Sequence, residues 1–169
     1  YAAFLGRMNP DKGVVEAIAV ARAAGVPLRI AAKMREEEEL AYFHDKVERL
    51  VGDGIEYVGE VDETGKFRLL GDAVALLSPL QWDEPFGLTT IEGLFSGTPV
   101  LGTHRGALPE IITAETGALA DTLDALIDAS KTIGTRSPEA CRAHAERHFT
   151  HRTMAEAYVR MYRGMIDTG

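Results

Sequence analysis

Cysteine is almost absent from this sequence. Cys141 is the only cysteine among the 169 residues, which excludes an internal disulfide framework and a metal site built on a Cys-x-x-Cys pair. Cys141 stands in a stretch with a helical pattern, where an isolated cysteine usually behaves as a small apolar side chain. We therefore expect it to be buried rather than to act as a nucleophile.

Positive charge and long apolar runs are also scarce. The formal net charge is −8 and the isoelectric point is near 5.1, which argues against general nucleic-acid binding because that function needs a basic surface. A small anionic ligand is still compatible, since local basic side chains and helix N-termini can bind it. The sequence shows no signal-peptide pattern and no apolar run that could span a bilayer. We expect a soluble, cytoplasmic domain.

The length and the apolar content fit one domain. Hydrophobic residues make up 46% of the chain, enough for a sizeable core. Short apolar runs alternate with helical patterns, and the predicted strands cover residues 1–5, 28–32, 55–58, 73–78, 100–102 and 117–120. This alternation predicts a Rossmann-like, doubly wound α/β fold with a parallel sheet of about six strands and helices on both faces. Because Tyr1 stands inside the first predicted strand, we expect the chain to be a piece of a larger protein.

Turn residues set the limits of the predicted helices. Asp11 is a plausible N-cap for a helix over residues 12–24, which Gly25 ends. A second helix is predicted over residues 36–51. The four glutamates at its start, residues 36–39, are interpreted as a solvated first turn that complements the helix dipole and not as a metal site.

The last predicted helix, over residues 150–166, carries an apolar stripe at three- and four-residue spacing. Its members are Met154, Ala157, Tyr158, Met161, Tyr162 and Met165. We interpret this stripe mostly as a docking surface.

The central stretch of the chain has the most informative pattern. Glu84 and Glu92 are separated by seven residues, with one apolar run before them at residues 73–79 and another after them at residues 100–102. An apolar run, a polar loop, a short helix and a second apolar run are typical of a parallel strand–helix–strand unit. The helix is predicted to start near Gly87.

The start of this helix is predicted to bind an anion. Its first unpaired amide groups would belong to Phe86, Gly87, Leu88 and Thr89. The glycine would let a phosphate approach the backbone closely. Helical geometry places Glu92 one turn above Leu88, and Glu84 lies in the loop before the helix, so the two carboxylates can flank one ligand. The alternative is that Glu84 is a capping acid and Glu92 a solvated helix residue.

Three groups of residues, in this order along the chain, resemble one enzyme family. They are Phe4-Leu5-Gly6-Arg7 with Pro10-Asp11-Lys12-Gly13, Glu84-Pro85-Phe86-Gly87-Leu88 with Glu92-Gly93 and Gly97-Thr98-Pro99-Val100, and Arg105-Gly106-Ala107-Leu108-Pro109-Glu110-Ile111-Ile112. The pattern is similar to the E-x7-E signature of retaining GT-B glycosyltransferases, in particular glycosyltransferase family 4. The resemblance implies that residues 1–169 are the nucleotide-sugar-binding C-terminal domain of such an enzyme, without its N-terminal acceptor-binding domain.

The resemblance also implies roles for the two glutamates. Glu92 would bind the ribose hydroxyls of a nucleotide-diphosphate sugar, and Glu84 would contact the transferred sugar. Ionised carboxylates only accept hydrogen bonds, so they suit a ligand rich in hydroxyl groups.

Arg7 and Lys12 are the predicted phosphate ligands, in a turn that begins with Gly6. The planar fork of Arg7 and the ammonium of Lys12 would hold the diphosphate and stabilise it as it leaves, without a metal. The alternative is that both form surface ion pairs with Asp11 or Glu16.

Lys33 follows the second predicted strand, where many relatives have a glycine-rich turn. It either contacts the nucleotide or pairs with Glu36 or Glu37. Trp82 either shields the sugar site or has a packing role. His104 is interpreted as a loop residue rather than a catalytic base. Because the carboxyl ends of parallel strands meet at one edge of a sheet, we expect all the candidate residues to converge there.

Other functions stay open on sequence grounds. A sugar phosphorylase or epimerase of the GT-B fold would share these motifs, and a non-catalytic nucleotide-binding module would share the sheet. A dinucleotide-dependent oxidoreductase is disfavoured because G-x-G-x-x-G is absent after the first strand. The isolated domain is expected to bind a donor weakly, with little transfer. Nothing in the sequence of this domain indicates a membrane association of the parent enzyme.

Overall fold

A computed structural model describes residues 1–167, which form a six-stranded parallel sheet with the order β3-β2-β1-β4-β5-β6. The strands are β1 (Ala2–Arg7), β2 (Leu28–Lys33), β3 (Ile55–Gly59), β4 (Ala75–Ser78), β5 (Val100–Gly102) and β6 (Gly117–Leu119). Every neighbouring pair of these strands is parallel. The prediction of a Rossmann-like sheet of about six strands is therefore confirmed.

Helices cover both faces of the sheet. The described α-helices are α1 (Val14–Ala24), α2 (Glu37–Tyr42), α3 (Glu63–Gly71), α4 (Leu88–Phe95), α5 (Leu108–Ile111), α6 (Leu123–Ile133), α7 (Pro138–His148) and α8 (His151–Asp167). Successive side chains of β1 lie on opposite faces of the sheet. Phe4 belongs to the hydrophobic core on the α1 side, and Ala3 belongs to the core on the α4 side. Cys141 is completely buried in the second core, which confirms the burial expected of it.

The strand order places a crevice at the carboxyl end of β1. From β1 the chain proceeds through β2 to β3 on one side of the sheet, and then crosses back to β4 on the other side. At this reversal the connections on the two sides of β1 run in opposite directions, so they leave a gap above the strand ends. The loops after β1 and β4 border that gap.

The predicted start of the first helix is wrong. The side chain of Asn9, not Asp11, accepts from the Lys12 amide at 3.2 Å and caps a single 3₁₀ turn over Pro10–Lys12. Gly13 then adopts φ +73°, and α1 begins only at Val14. A Cβ at Gly13 would lie 1.9 Å from the carbonyl oxygen of Pro79, so the close approach of the loop after β4 separates this turn from the helix.

The predicted helix over residues 36–51 is also not continuous. After α2 the chain forms a π-helical turn over Phe43–Val47 and a 3₁₀ turn over Glu48–Leu50. The ring of Phe43 lies 5.0 Å from that of Tyr57 on β3, and Val47 is fully buried. Packing against the sheet therefore takes precedence over regular helix geometry in this segment.

The apolar stripe of α8 is exposed. Met154, Tyr158 and Tyr162 each leave half or more of their surface accessible, and the interpretation of the stripe as a docking surface stays a prediction. No helix within residues 1–167 combines the length and the apolar character that crossing a membrane requires.

Candidate functional site

A cavity of about 380 Å³ opens at the carboxyl edge of the sheet, in the crevice between β1 and β4. Eight of the predicted site residues line it: Gly6, Arg7, Lys12, Lys33, Glu84, Leu88, Thr89 and Glu92. These residues come from the ends of β1 and β2, from the turn after β1, from the loop after β4 and from the first turns of α4. The fold therefore brings together groups that lie far apart in the chain.

Two predicted residues, Phe86 and Gly87, are not among those that line the cavity. Phe86 is 54% exposed and borders a separate pocket with Ile91 and Phe149. Gly87 is the N-cap of α4 and has φ +75°, a conformation that glycine adopts without strain. The positive φ at the N-cap is therefore sufficient to explain a glycine at this position.

The N-terminus of α4 borders the cavity, and its first backbone amides have no acceptor within the helix. The first backbone bond of this helix runs from the Ile91 amide to the Gly87 carbonyl at 3.2 Å. The amides of Leu88 and Thr89 precede that bond, so they have no intrahelical acceptor. Both residues line the cavity, as an anion-binding helix start requires.

Lys12 and Glu84 form an ion pair across the crevice. The ammonium of Lys12 contacts Oε2 of Glu84, and the two side chains are 21% and 19% exposed. The same ammonium lies 4.9 Å from the ring centroid of Trp82, within the range of a cation–π interaction. The alternative pairing of Lys12 with Asp11 or Glu16 is not observed.

The loop that carries Glu84 is held in place by the turn after β5. The Glu84 carbonyl accepts from the Ala107 amide at 2.8 Å, and the Asp83 carboxylate accepts from the Gly106 amide at 3.2 Å. Gly106 has φ +53°, and a Cβ there would lie 2.2 Å from the Glu84 carbonyl oxygen. Only glycine fits at this contact, which explains why glycine stands between Arg105 and Ala107.

Glu92 pairs with a lysine that the sequence analysis did not identify. Lys66, on α3, places Nζ 2.5 Å from Oε1 of Glu92, and both side chains are about three-quarters shielded from solvent. Lys66 itself lines the cavity. Lys66 could have been identified from the sequence by its position on the helix that follows β3, because that helix begins at the same edge of the sheet.

Arg7 pairs with Glu39, which corrects the interpretation of residues 36–39 as fully solvated. Glu39 is only 3% exposed, and its Oε1 accepts from Nε of Arg7 at 2.5 Å. Burial alone would raise the pKa of this carboxyl. Hydrogen bonds from the backbone of Arg35, from Arg7 and from the backbone of Glu36 outweigh burial, so the pKa of Glu39 lies below its ordinary value.

Lys33 lines the cavity, and within residues 1–167 it forms no ion pair with Glu36, Glu37 or another carboxylate. His104 and Arg105 lie at the same edge of the sheet but border a second cavity. Nδ1 of His104 is 2.9 Å from Oδ1 of Asp121. The expected convergence therefore holds for the loops after β1, β2 and β4, whereas these two side chains after β5 lie apart.

The family model described as "Glycosyl transferases group 1" matches residues 1–134. The lipopolysaccharide core biosynthesis mannosyltransferase LpsB of Rhizobium meliloti (strain 1021) is 34% identical over 143 residues, which cover 81% of this chain and 36% of that protein.

A second relative is the GDP-mannose-dependent alpha-(1-6)-phosphatidylinositol dimannoside mannosyltransferase of Mycobacterium tuberculosis (strain ATCC 25177 / H37Ra). It is 34% identical over 148 residues, which cover 84% of this chain and 37% of that protein. The chain therefore spans well under half the length of these curated relatives.

The fold is also similar to that of AviGT4, a glycosyltransferase involved in avilamycin A biosynthesis. The two structures superpose with a TM-score of 0.84 at 32% identity, over 100% of this chain and 52% of AviGT4. The predicted resemblance to one half of a GT-B glycosyltransferase is confirmed. Because the family model covers most of its length, the chain belongs to the glycosyl transferases group 1 family.

Proposed function

We propose that this chain is the nucleotide-sugar donor-binding domain of a retaining glycosyltransferase, which moves a hexose-type sugar from a nucleotide diphosphate to a hydroxyl acceptor. The observation that carries the proposal is the cavity between β1 and β4, where basic side chains, the start of α4 and two glutamates meet. The family membership supports glycosyl transfer, and the name of one relative specifies GDP-mannose as its donor.

The diphosphate would lie between the turn after β1 and the start of α4. Arg7 and Lys12 supply positive charge from one side, and the amides of Leu88 and Thr89 supply donors from the other. An ammonium carries three donors, so Lys12 can hold Glu84 and a phosphate oxygen together. When the bond to the sugar breaks, negative charge grows on the phosphate, and these fixed groups favour that charge.

The two glutamates would bind the ligand on either side of the diphosphate. Glu92 stands one turn beyond the helix start and would accept hydrogen bonds from the ribose hydroxyls. Glu84 contacts Lys12 at the other side and would accept from the transferred sugar. Lys33, at the end of β2, would contact the nucleotide. We expect no metal ion to be required, because cations of the protein take its place.

A second domain would hold the acceptor. The chain covers 36% and 37% of the two mannosyltransferases, so those enzymes contain additional residues that can complete a site. This chain would bind the donor, and transfer would require the protein that combines it with an N-terminal acceptor-binding domain.

Calorimetry with UDP-, GDP- and ADP-sugars tests the proposal. We expect the chain to bind at least one of them, and Arg7→Ala or Glu92→Ala to weaken that binding about tenfold or more, since each removes a bond to a charged group. Arg49→Ala and Glu115→Ala, at exposed positions outside the cavity, are the matched controls. Binding that neither Arg7→Ala nor Glu92→Ala changes would reject the site, and binding of NAD alone would favour an oxidoreductase.

A further inference from the structure

Glu39 is a buried carboxylate that is not among the residues lining the cavity but bonds one of them, Arg7. It is 3% exposed, and a carboxylate in such a place is costly unless both oxygens are bonded. Oε1 accepts from Nε of Arg7 at 2.5 Å, while Oε2 accepts from the backbone amides of Arg35 at 2.9 Å and Glu36 at 3.2 Å. Every oxygen of this carboxylate therefore has a defined partner.

The position of Glu39 is fixed by its own helix. Glu39 is the third residue of α2, its side chain accepts from the backbone amide of the N-cap residue Glu36, and its own backbone amide donates to the Glu36 carbonyl at 3.1 Å. The two amides that bond Glu39 belong to the segment that leads from β2 into α2. Because of these bonds, Glu39 offers Arg7 a stationary acceptor rather than one at the end of a mobile surface side chain.

Arg7 uses only one edge of its guanidinium in this contact. Nε is bonded to Glu39, and within residues 1–167 the two terminal nitrogens make no hydrogen bond to the protein. Arg7 lines the cavity, and its side chain is 53% exposed. The inner edge is thus anchored, and the outer edge keeps four N–H donors in a planar fork, the arrangement that binds a phosphate bidentately.

The geometry points to Glu39 as a positioning residue that holds the Arg7 fork toward the diphosphate of the donor. This inference rests on the proposed function, because it assumes that Arg7 binds phosphate there. A free arginine side chain samples many rotamers and loses that freedom when it binds. Glu39 restricts the rotamers of Arg7 beforehand, so less freedom is lost on binding.

A double-mutant cycle tests the inference by calorimetry. The chain, Glu39→Gln, Arg7→Ala and the double variant are titrated with UDP and GDP, and with uridine and guanosine, which lack the phosphates. Glutamine keeps the shape and one oxygen for the backbone amides but loses the charge that holds Arg7. Glu39→Gln should weaken diphosphate binding about tenfold, the size typical of coupled contacting residues. It should not change nucleoside binding, and it should add nothing in the Arg7→Ala background.

Glu38→Gln is the matched control, since Glu38 is an exposed neighbour on the same helix, and it should leave all affinities unchanged. A Glu39→Gln effect that is absent, that persists in Arg7→Ala, or that is equal for nucleosides would overturn the inference while the proposed function stands. If the unsubstituted chain binds neither diphosphate nor nucleotide sugar, both the proposed function and the inference fail. Should Glu39→Gln prevent folding, Glu39→Asp, which keeps the charge but shortens the reach, takes its place with the same criteria.

Discussion

The ammonium of Lys12 bonds to the carboxylate of Glu84, although 72 positions of sequence separate the two residues. Lys12 stands in the turn after β1, and Glu84 stands in the loop after β4. Their contact therefore bridges the crevice at which the direction of the strand order reverses. It links the proposed phosphate side of the cavity to the proposed sugar side.

Removal of Lys12 should destabilise the fold, because it leaves the shielded carboxylate of Glu84 without its partner. Lys12→Met is expected to lower the free energy of unfolding by about 1–3 kcal/mol, because Glu84 loses its charged partner. The double variant Lys12→Met/Glu84→Gln should recover part of that loss, since it removes the unpaired charge as well. Urea denaturation measures both effects.

Lys46→Met is the control for this experiment, because Lys46 is exposed and has no ion-pair partner within residues 1–167. An equal loss of stability in Lys46→Met, or no recovery in the double variant, would show that the Lys12–Glu84 ion pair does not stabilise the fold.

Two glycines with the same backbone conformation should respond very differently to alanine. Gly13 has φ +73° and Gly25 has φ +66°. A Cβ at Gly25 would meet nothing within 4 Å, whereas one at Gly13 would lie 1.9 Å from the Pro79 carbonyl oxygen. We expect Gly25→Ala to cost about 1–2 kcal/mol, and Gly13→Ala about 3 kcal/mol or more, because the clash adds to the backbone strain.

Chemical denaturation of the two glycine variants measures the difference. Gly13→Ala should also weaken donor binding, because Gly13 follows Lys12 directly. Equal losses of stability would show that the loop after β4 does not pack on this turn as described.

The stability of the fold should depend on pH through Glu39. Its pKa is lowered in the folded chain, because hydrogen bonds outweigh the effect of burial. The contribution of the ionised group is therefore complete above the ordinary carboxyl pKa of about 4.3 and is lost as the pH falls through the lower native value. The melting temperature of Glu39→Gln should lie below that of the unsubstituted chain at neutral pH and approach it in acid.

Melting curves across this pH range test the prediction, with Glu38→Gln as the comparison that should show no such convergence. A difference in melting temperature between Glu39→Gln and the unsubstituted chain that grows as the pH falls would contradict the prediction.

The thiol of Cys141 should be unreactive in the folded chain. Burial raises the pKa of this thiol, and its Sγ lies 3.9 Å from the carbonyl oxygen of Thr116 inside the core. At about pH 8 a disulfide reagent should modify the native chain more than a hundredfold more slowly than the chain in guanidinium chloride, because reaction requires opening of the fold. Comparable rates would indicate that α7 is not stably packed.

Local sequence pattern was sufficient for the architecture, because strand and helix periodicity depends on neighbouring residues. The apolar runs that begin β2 at Leu28 and β5 at Val100 are short and buried, as strands inside a parallel sheet must be. The errors at residues 12–13 and 43–50 have one cause. There the backbone follows contacts with distant segments, namely Pro79 in the first case and Tyr57 in the second.

The sequence by itself identified the loops after β1, β2 and β4 as borders of the cavity, since parallel strands present their carboxyl ends at one edge and the chain order shows which residues follow each strand. It also placed Glu84 and Glu92 on either side of a helix start. These conclusions need only short-range spacing and the rule that links strand direction to the edge of a sheet.

Only the tertiary structure decided which charged groups meet. Arg7 bonds Glu39, Lys12 bonds Glu84 and Lys66 bonds Glu92, across 32, 72 and 26 positions of sequence. Such partners depend on the strand order and on the path of each crossover, and these are set by packing of the whole sheet. For that reason the acidic run at residues 36–39 did not reveal that Glu39 is buried and bonds Arg7.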